Sequence, residues 1–282
     1  MPIKAVQQFM LGTVMNSEKQ AADTMRQMRA AGYDGIELCG FMIHPSGFLV
    51  KLMTKAAGMP VGNGGKLDWQ RLVKESGLQV VSIHQDLGSI ERDASAAADE
   101  AKRFGTNKIV ITGMYRFPYG EEQAVRALAE RLNAAGKALS AEGISLLYHN
   151  HNCEFLRVAP GKTAYQLLCE ETDPAAVNFE FDSYWCADCG QNPLAVMETL
   201  GPRMKLWHIN DRGTRQEGPC MTPILKSDSM ELGYGAMPLE ELSAKAKELG
   251  VAAVILESHR NWIDKSPVKS FARSAEFLNR HF

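Results

Sequence analysis

The chain has 282 residues, of which 45% are hydrophobic and 23% are charged, and its formal net charge at pH 7 is −2. This composition is typical of a globular protein, and the nearly balanced charge disfavours a nucleic-acid-binding surface. No apolar run approaches the ~18 residues of a transmembrane helix, and the N-terminus lacks the basic and apolar regions of a signal peptide. We therefore expect a cytoplasmic protein that acts on a small molecule, with no nucleic acid and no membrane as partner.

A short signal recurs along the chain, in which a helical segment ends in glycine and an apolar run follows within a few residues. Glycine adopts the left-handed conformation that closes a helix, and strands buried on both faces are continuously apolar. The signal therefore predicts parallel strands that each follow a helix. It occurs at residues 32–38, 77–84, 105–112, 143–149 and 250–257.

Three further strands are predicted at 5–14, 176–182 and 204–210, which brings the number to eight. Apolar residues at i, i+3 and i+4 spacing predict helices at 17–31, 66–76, 92–103, 121–141, 161–171, 192–199, 238–249 and 266–281. Eight alternating strands and helices predict an α/β fold, a closed (β/α)8 TIM barrel that spans residues 1–282 as one domain. A doubly wound open sheet is the alternative, but no Gly-x-Gly-x-x-Gly follows a strand, so we expect no organic cofactor.

Two predicted connections are longer than ordinary turns between a strand and a helix. They comprise residues 40–65, after the second strand, and residues 211–236, after the seventh. Both leave the C-terminal ends of strands, where barrel enzymes hold their active sites. We expect both segments to lie over the mouth of the barrel.

Ionisable side chains are concentrated where the predicted strands end, and five of the seven histidines of the chain are among them. In a barrel these positions converge on one axis. Imidazole and carboxylate together are a ligand set for a divalent metal. The residues are Glu37, His84, His149, His151, Glu154, Asp182, His208, Glu257 and His259.

The sixth, seventh and eighth strands contribute Asp182, His208 and Glu257 to this set. The fifth strand adds His149, His151 or Glu154, so four ligands would come from consecutive strands. Each residue also has an ordinary structural interpretation: Asp182 could cap a turn, His208 could be a hydrogen-bonded core histidine, and Glu257 could pair with Arg260. Taken together, the residues favour a metal site.

Five segments of the sequence together resemble the sugar phosphate isomerase/epimerase family of xylose isomerase-like barrels. This group includes relatives of ketose 3-epimerases, inosose isomerases and dehydratases, and endonuclease IV. The resemblance is looser in the first half of the chain, and its motifs are specific for the family but not for a substrate. The segments are 148–155, 179–185, 206–212, 232–235 and 255–257.

The resemblance implies one Mn²⁺, Mg²⁺, Co²⁺ or Zn²⁺ ion held by Asp182, His208, Glu257 and a ligand from the fifth strand, for which Glu154 is our prediction. Epimerase relatives carry a metal-bound glutamate on that strand, whereas this chain has His149 there and its glutamate five residues later. Either Glu154 folds back to serve as the ligand, or His149 or His151 takes its place.

The resemblance also suggests roles for the other residues of the mouth. Glu257 or Glu154 would abstract a proton next to a carbonyl, and His149, His151 or His84 would act as the acid or the second base. Arg212 matches a substrate-contacting arginine. Predicted substrate contacts are Glu37, Arg212, Trp185 and His259.

The function predicted first is a metal-dependent isomerase or epimerase of a sugar, a sugar phosphate or an inosose. A lyase or dehydratase acting on a keto-sugar or inosose is the close alternative, because inverting a carbon uses one base on each face and a histidine replaces one of the two carboxylates. An endonuclease IV-like phosphodiesterase and a non-catalytic sugar-binding barrel rank lower. The sequence leaves assembly into a homo-oligomer open.

Overall fold

The structure, a computed structural model, describes residues 1–45, 64–114, 116–216, 218–219 and 221–282. Eight parallel strands form a closed barrel in which the last strand pairs with the first. In chain order they are β1 (Ile3–Gln7), β2 (Gly35–Cys39), β3 (Gln79–Gln85), β4 (Lys108–Thr112), β5 (Ser145–His149), β8 (Val177–Asp182), β9 (Met204–Ile209) and β12 (Ala253–Leu256). Two antiparallel hairpins lie outside the barrel: β6 (Arg157–Ala159) with β7 (Lys162–Thr163), and β10 (Asp211–Thr214) with β11 (Ser227–Met230).

Helices connect the barrel strands, and the prediction of a (β/α)8 barrel is confirmed. Gly32 and Gly250 close two of these helices in the left-handed conformation, with φ of +102° and +69°. Within the described residues, no helix is long and apolar enough to cross a membrane. The helices are Glu18–Ala31, Gly40–Ile43, Trp69–Ser76, Leu87–Arg92, Ala94–Arg103, Glu122–Ala141, Ala164–Glu171, Ser183–Asp188, Pro193–Leu200, Leu239–Leu249 and Pro267–His281.

Several elements differ from their predicted bounds, and local contacts or elements explain three of the differences. The first strand ends at Gln7, whose side chain accepts a hydrogen bond from the backbone N–H of Phe9 and so starts a 3-10 turn over Gln8–Leu11. The helix predicted at 92–103 begins instead at Ala94, because extended Asp93 separates it from the helix Leu87–Arg92 and caps it through the N–H of Ala96. The helix predicted at 161–171 begins at Ala164, since the preceding residues form the hairpin β6–β7.

The structure describes the two long connections to different extents. Residues 46–63 of the first lie outside the described residues. The second contains the hairpin β10–β11. The chain that follows this hairpin is held by the carboxylate of Asp211, which accepts the backbone N–H groups of Gly233 and Gly235, both at 2.9 Å. That both segments cover the mouth stays a prediction.

The interior of the barrel is filled by a small apolar cluster, separate from the larger core between strands and helices. Successive side chains of a strand point to opposite faces, so the residue two positions further along also points inward. Leu147, Leu206 and Ile255 belong to this cluster, and they are followed two residues later by His149, His208 and Glu257. The polar site therefore lies directly on the apolar layer, at the C-terminal ends of the strands.

Candidate metal centre

Four buried side chains from β5, β8, β9 and the end of β12 form one group of possible metal ligands. They are His149, Asp182, His208 and Glu257, and one ligand atom of each lies within 4.8 Å of the other three. His208 Nδ1 lies 2.9 Å from Glu257 Oε2. The register of neighbouring strands brings the residues together, since Asp182 pairs with His208 across β8 and β9.

Asp182 also caps the helix Ser183–Asp188, because its Oδ1 accepts the backbone N–H of Trp185 at 2.8 Å. The side chain of Asn150 fixes the strand end by accepting the N–H of Asp182 at 3.0 Å and donating to its carbonyl at 3.1 Å. Burial, with the nearby charge of Glu257, raises the pKa of Asp182 well above its usual value. The capping role and the place in the ligand group therefore occur together.

A second group centres on Glu180, two residues before Asp182 on the same face of β8. Its Oε2 lies 2.9 Å from His84 Nε2, 3.1 Å from His149 Nδ1 and 3.1 Å from His208 Nε2. A carboxylate oxygen thus occupies the centre of three imidazole nitrogens, at distances typical of hydrogen bonds. The sequence prediction missed Glu180. The i, i+2 spacing to Asp182 is the signal that would have placed it inside the barrel.

Glu37 completes this second group from β2. Its Oε2 lies 2.7 Å from His208 Nε2 and 3.1 Å from His84 Nε2, and it accepts the amide of Gln7 at 2.8 Å. Ser82 donates to its other oxygen. Glu37 is fully buried. In the structure, this predicted substrate contact therefore forms hydrogen bonds with His208 and His84.

Burial and the charges of nearby carboxylates shift the pKa values of the imidazoles in opposite directions. Burial lowers the pKa of His84, but the carboxylates of Glu37 and Glu180 outweigh it and raise the pKa to about 10. Burial likewise opposes a charged His208, and the surrounding carboxylates raise its pKa well above the usual value. For His149 burial prevails and lowers the pKa to about 4. His149 is therefore neutral at neutral pH and has a nitrogen lone pair to offer.

The donor set fits a divalent cation. Four buried carboxylates, those of Glu37, Glu180, Asp182 and Glu257, converge with the imidazoles at one end of the barrel. Buried carboxylates are costly unless they are paired or coordinate a metal. Mixed imidazole and carboxylate ligands suit Zn²⁺, Mn²⁺ and similar ions.

Glu154, our predicted fourth ligand, lies apart from the ligand group. It accepts hydrogen bonds from the hydroxyl of Tyr148 at 2.8 Å and from the backbone N–H of His151 at 2.9 Å. Both of its oxygens are therefore engaged at the turn after β5. The structure brings His149 to the position beside Asp182, His208 and Glu257 instead.

Aromatic and basic side chains surround the ligand group at the mouth. The ring of His151 lies 5.0 Å from that of His149 and 6.0 Å from that of Trp185, and the pKa of His151 is lowered to about 4 by burial. The ring of His259 lies 5.9 Å from that of Trp185 at an angle of 35°, and its Nε2 lies 3.5 Å from Glu257 Oε1. These predicted site residues therefore share one rim.

Arg212, a predicted substrate contact, binds Asp188 on the helix Ser183–Asp188 at 3.0 Å. On the other side, a cavity of about 980 Å³ opens beside His84. This volume lies in the range of small-molecule sites. Phe41, Gln85, Glu100 and Met114 contribute to its walls.

The sequence model of the xylose isomerase-like TIM barrels matches residues 25–281 of the chain. The chain belongs to this family. An inosose dehydratase of Bacillus anthracis (strain CDC 684 / NRRL 3495) is 31% identical over 100 residues, which are 36% of this chain and 32% of that protein. The match thus spans about a third of the length of the curated relative.

Solved structures of this barrel family share the fold over nearly the whole chain. A sugar phosphate isomerase/epimerase from Parabacteroides distasonis ATCC 8503 has a TM-score of 0.74 and 23% identity, covering 99% of this chain and 94% of that one. A probable 3-DHS dehydratase from Bacillus anthracis has a TM-score of 0.68 and 15% identity, covering 99% of both chains. A xylose isomerase-like barrel protein from Mycobacterium smegmatis, solved in complex with magnesium, has a TM-score of 0.67 and 19% identity, covering 99% and 96%. At these identities the likeness shows the fold alone.

Proposed function

We propose that the protein is a divalent-metal-dependent enzyme that abstracts a proton next to the carbonyl of a keto-sugar or inosose and eliminates water. The buried group of His149, Asp182, His208 and Glu257 at the barrel mouth is the observation that carries this proposal. The same four residues would hold the cation. When bound, such an ion polarises a carbonyl oxygen as a Lewis acid and makes the adjacent C–H more acidic.

The chain's own residues divide the proton transfers between them. Glu257 reaches the group with one oxygen on His208 and the other towards His259, so it can take the proton from the α-carbon. His84 beside the cavity, whose pKa is raised to about 10 because its carboxylate neighbours outweigh burial, carries a proton that it can return to the leaving hydroxyl. Trp185 and His259 offer ring faces on which a sugar ring can stack.

Elimination is favoured over epimerisation by the ligand from β5. Epimerisation uses a base on each face of the carbon. Here a histidine stands in the ligand group and Glu154 is held by Tyr148 and the N–H of His151, so the described part of β5 and the turn after it bring no carboxylate into the ligand group to act opposite Glu257. The sequence match to an inosose dehydratase supports the same choice.

Isomerisation or epimerisation is the second candidate. It is supported by the structural likeness to a sugar phosphate isomerase/epimerase, which extends over almost the entire chain. His151 on the rim would then be the second base, since burial lowers its pKa to about 4 and leaves it neutral.

One assay separates these outcomes. Protein purified without chelators is incubated with Mn²⁺ and a panel of inososes, ketoses and 3-keto-sugars in deuterated water, and substrate and product are analysed by NMR and ultraviolet absorption. Elimination gives a conjugated ketone, whereas epimerisation gives an isomer carrying one deuterium. We expect the first product from the wild-type protein and none from E257Q, while the exposed control E248Q retains activity.

Metal content is measured on the same preparation by plasma emission. The proposal predicts close to one equivalent and a thermal shift with added Mn²⁺. Less than about 0.1 equivalent without any shift would contradict a metalloenzyme, because a ligand that binds the folded state must stabilise it. Metal binding without deuterium exchange in any substrate would count against the proton-abstraction chemistry alone.

A further inference from the structure

Glu180 is buried inside the barrel and forms a second group of possible metal ligands with His84, His149 and His208. It is not one of the four residues His149, Asp182, His208 and Glu257 of the ligand group. It pairs with His149 across β8 and β5, and its Oε2 contacts both histidines of that group, His149 through Nδ1 and His208 through Nε2. Its other oxygen, Oε1, is buried without a hydrogen-bond partner among the described residues. Burying a carboxylate oxygen without a partner costs free energy, and another interaction of the same side chain must offset that cost.

The contact with Glu180 fixes which nitrogen of His149 carries the hydrogen. A carboxylate can only accept, so Nδ1 of a neutral His149 must donate at the 3.1 Å distance, and the lone pair is left on Nε2. His208 is held between carboxylates on both sides, because its Nε2 faces Glu180 and Glu37 while its Nδ1 faces Glu257 of the ligand group. Glu180 therefore helps to orient both rings, and on His149 it leaves Nε2 as the nitrogen that can bind a cation.

A histidine ligand supplies one negative charge fewer than a glutamate would. Glu180 stands directly behind His149, and hydrogen bonding to a carboxylate makes an imidazole a stronger donor to a metal. Through its hydrogen bond to His149, Glu180 therefore supplies the negative charge that a carboxylate on β5 would contribute to the site.

We infer that Glu180 is a positioning residue that acts through His149 and His208: it selects the metal-binding nitrogen of His149, orients both rings and supplies the charge that the histidine on β5 lacks. This inference rests on the metal centre of the proposed function. It assigns Glu180 no contact with the cation or the substrate.

The first test is metal affinity, measured by competition of a chromogenic chelator for Zn²⁺ or Mn²⁺ with purified protein. We expect E180Q to bind about 10–100-fold more weakly than the wild type, as is usual for loss of a residue that supports a ligand. The matched control is E231Q, which also removes a buried carboxylate, one held by Ser270 and Arg215 away from the site, and should leave the affinity unchanged. Equal affinities of E180Q and wild type would overturn the inference.

The second test reads the tautomers directly in the metal-free protein. Long-range ¹H–¹⁵N spectra of ¹⁵N-histidine-labelled protein should show His149 protonated at Nδ1, with its signal identified by loss in H149N. In E180L, which has no acceptor at this position, the preference should disappear. Protonation of His149 at Nε2 in the wild type would contradict the inference, whatever the metal affinity.

A rescue experiment tests the exchange of charge. The double variant H149E/E180L moves the carboxylate into the ligand position and removes the one behind it. We expect it to regain the affinity that E180L loses, and failure to do so with a folded protein would oppose the inference. Wild-type protein that binds no metal would instead overturn the proposed function, so the two failures are distinguishable.

Discussion

Asp182 is a buried carboxylate that lies near the charge of Glu257. Its hydrogen bond from the N–H of Trp185 offsets part of the desolvation, but its raised pKa shows that the remainder opposes the charged form. Side chains of this kind commonly reduce stability in exchange for function. Asp182 is therefore a residue at which stability and metal binding should respond in opposite directions.

We predict that D182N raises the melting temperature of the metal-free protein and abolishes its response to Mn²⁺. The asparagine oxygen can still accept the N–H of Trp185, while the buried charge is removed. Each kcal/mol gained corresponds to a shift of about 2–4 °C in a protein of roughly this size. Calorimetry with and without Mn²⁺ measures both effects, and a variant that is less stable than wild type without metal would contradict the argument.

The fifth-strand ligand shows where prediction from the sequence ends at this scale. Strand periodicity places His149 inside the barrel, but the position of Glu154 depends on the turn after β5 and on the hydroxyl of Tyr148, which comes from the opposite face of the strand. Neither contact has a local sequence signal. Three neighbouring ionisable residues could therefore be recognised as a group but not told apart.

Among the elements, the helices Leu87–Arg92 and Glu122–Ala141 are joined by a two-point ion pair. Arg131 donates to Glu91 through Nε at 2.7 Å and through Nη2 at 2.9 Å. The hydrogen bonds from Arg131 lower the pKa of Glu91 below its usual value of 4.5. Parallel hydrogen bonds between an arginine and a carboxylate are the stronger form of this interaction.

We predict that E91Q destabilises the protein at neutral pH and that this difference disappears in acid. A folded-state pKa below the unfolded value gives stability that is fully present above the unfolded pKa and is lost as the pH falls through the folded pKa. Urea unfolding of both proteins between neutral pH and pH 3 tests the prediction. A difference that is constant over this range would show that the pair acts through shape and not through charge.

Elements with a repeating local signal were predictable, and elements set by a single residue were not. The glycine followed by an apolar run marks the strand starts because a left-handed helix end and a doubly buried strand both restrict residue type. The break at Asp93 was missed because the helical periodicity continues through it while the side chain caps the second helix. Glu180 was missed because it lies between two phenylalanines and before the strand end, where the polar residues of the site were sought.

At the scale of the whole molecule, the barrel closes without help from the site. Backbone pairing from Ile3 with Ala253 to Val6 with Leu256 joins the first strand to the last, and the apolar interior layer lies beneath the charged residues. The group of possible metal ligands is thus built on a scaffold that is already complete. Its residues come from strands that are held together by backbone hydrogen bonds and by apolar contacts in the core.

We predict that chelation leaves the secondary structure intact and lowers only the melting temperature. Far-ultraviolet circular dichroism should be unchanged by EDTA followed by gel filtration, and added Mn²⁺ should restore the melting temperature in a concentration-dependent way. At 100 times the dissociation constant the gain is about 2.7 kcal/mol. Loss of helical signal on chelation would show instead that the ion is needed for folding.

The hydrogen bond between Asp182 and Trp185 has a practical consequence. It ties the carboxylate of the ligand group to the backbone of a tryptophan whose ring lies within 6.0 Å of His151 and 5.9 Å of His259, measured between ring centroids. A change in the charge of the ligand group therefore alters the surroundings of the indole ring of Trp185. We expect the intrinsic fluorescence of the protein to change when a cation is added, which would make it a label-free optical measure of binding at this end of the barrel.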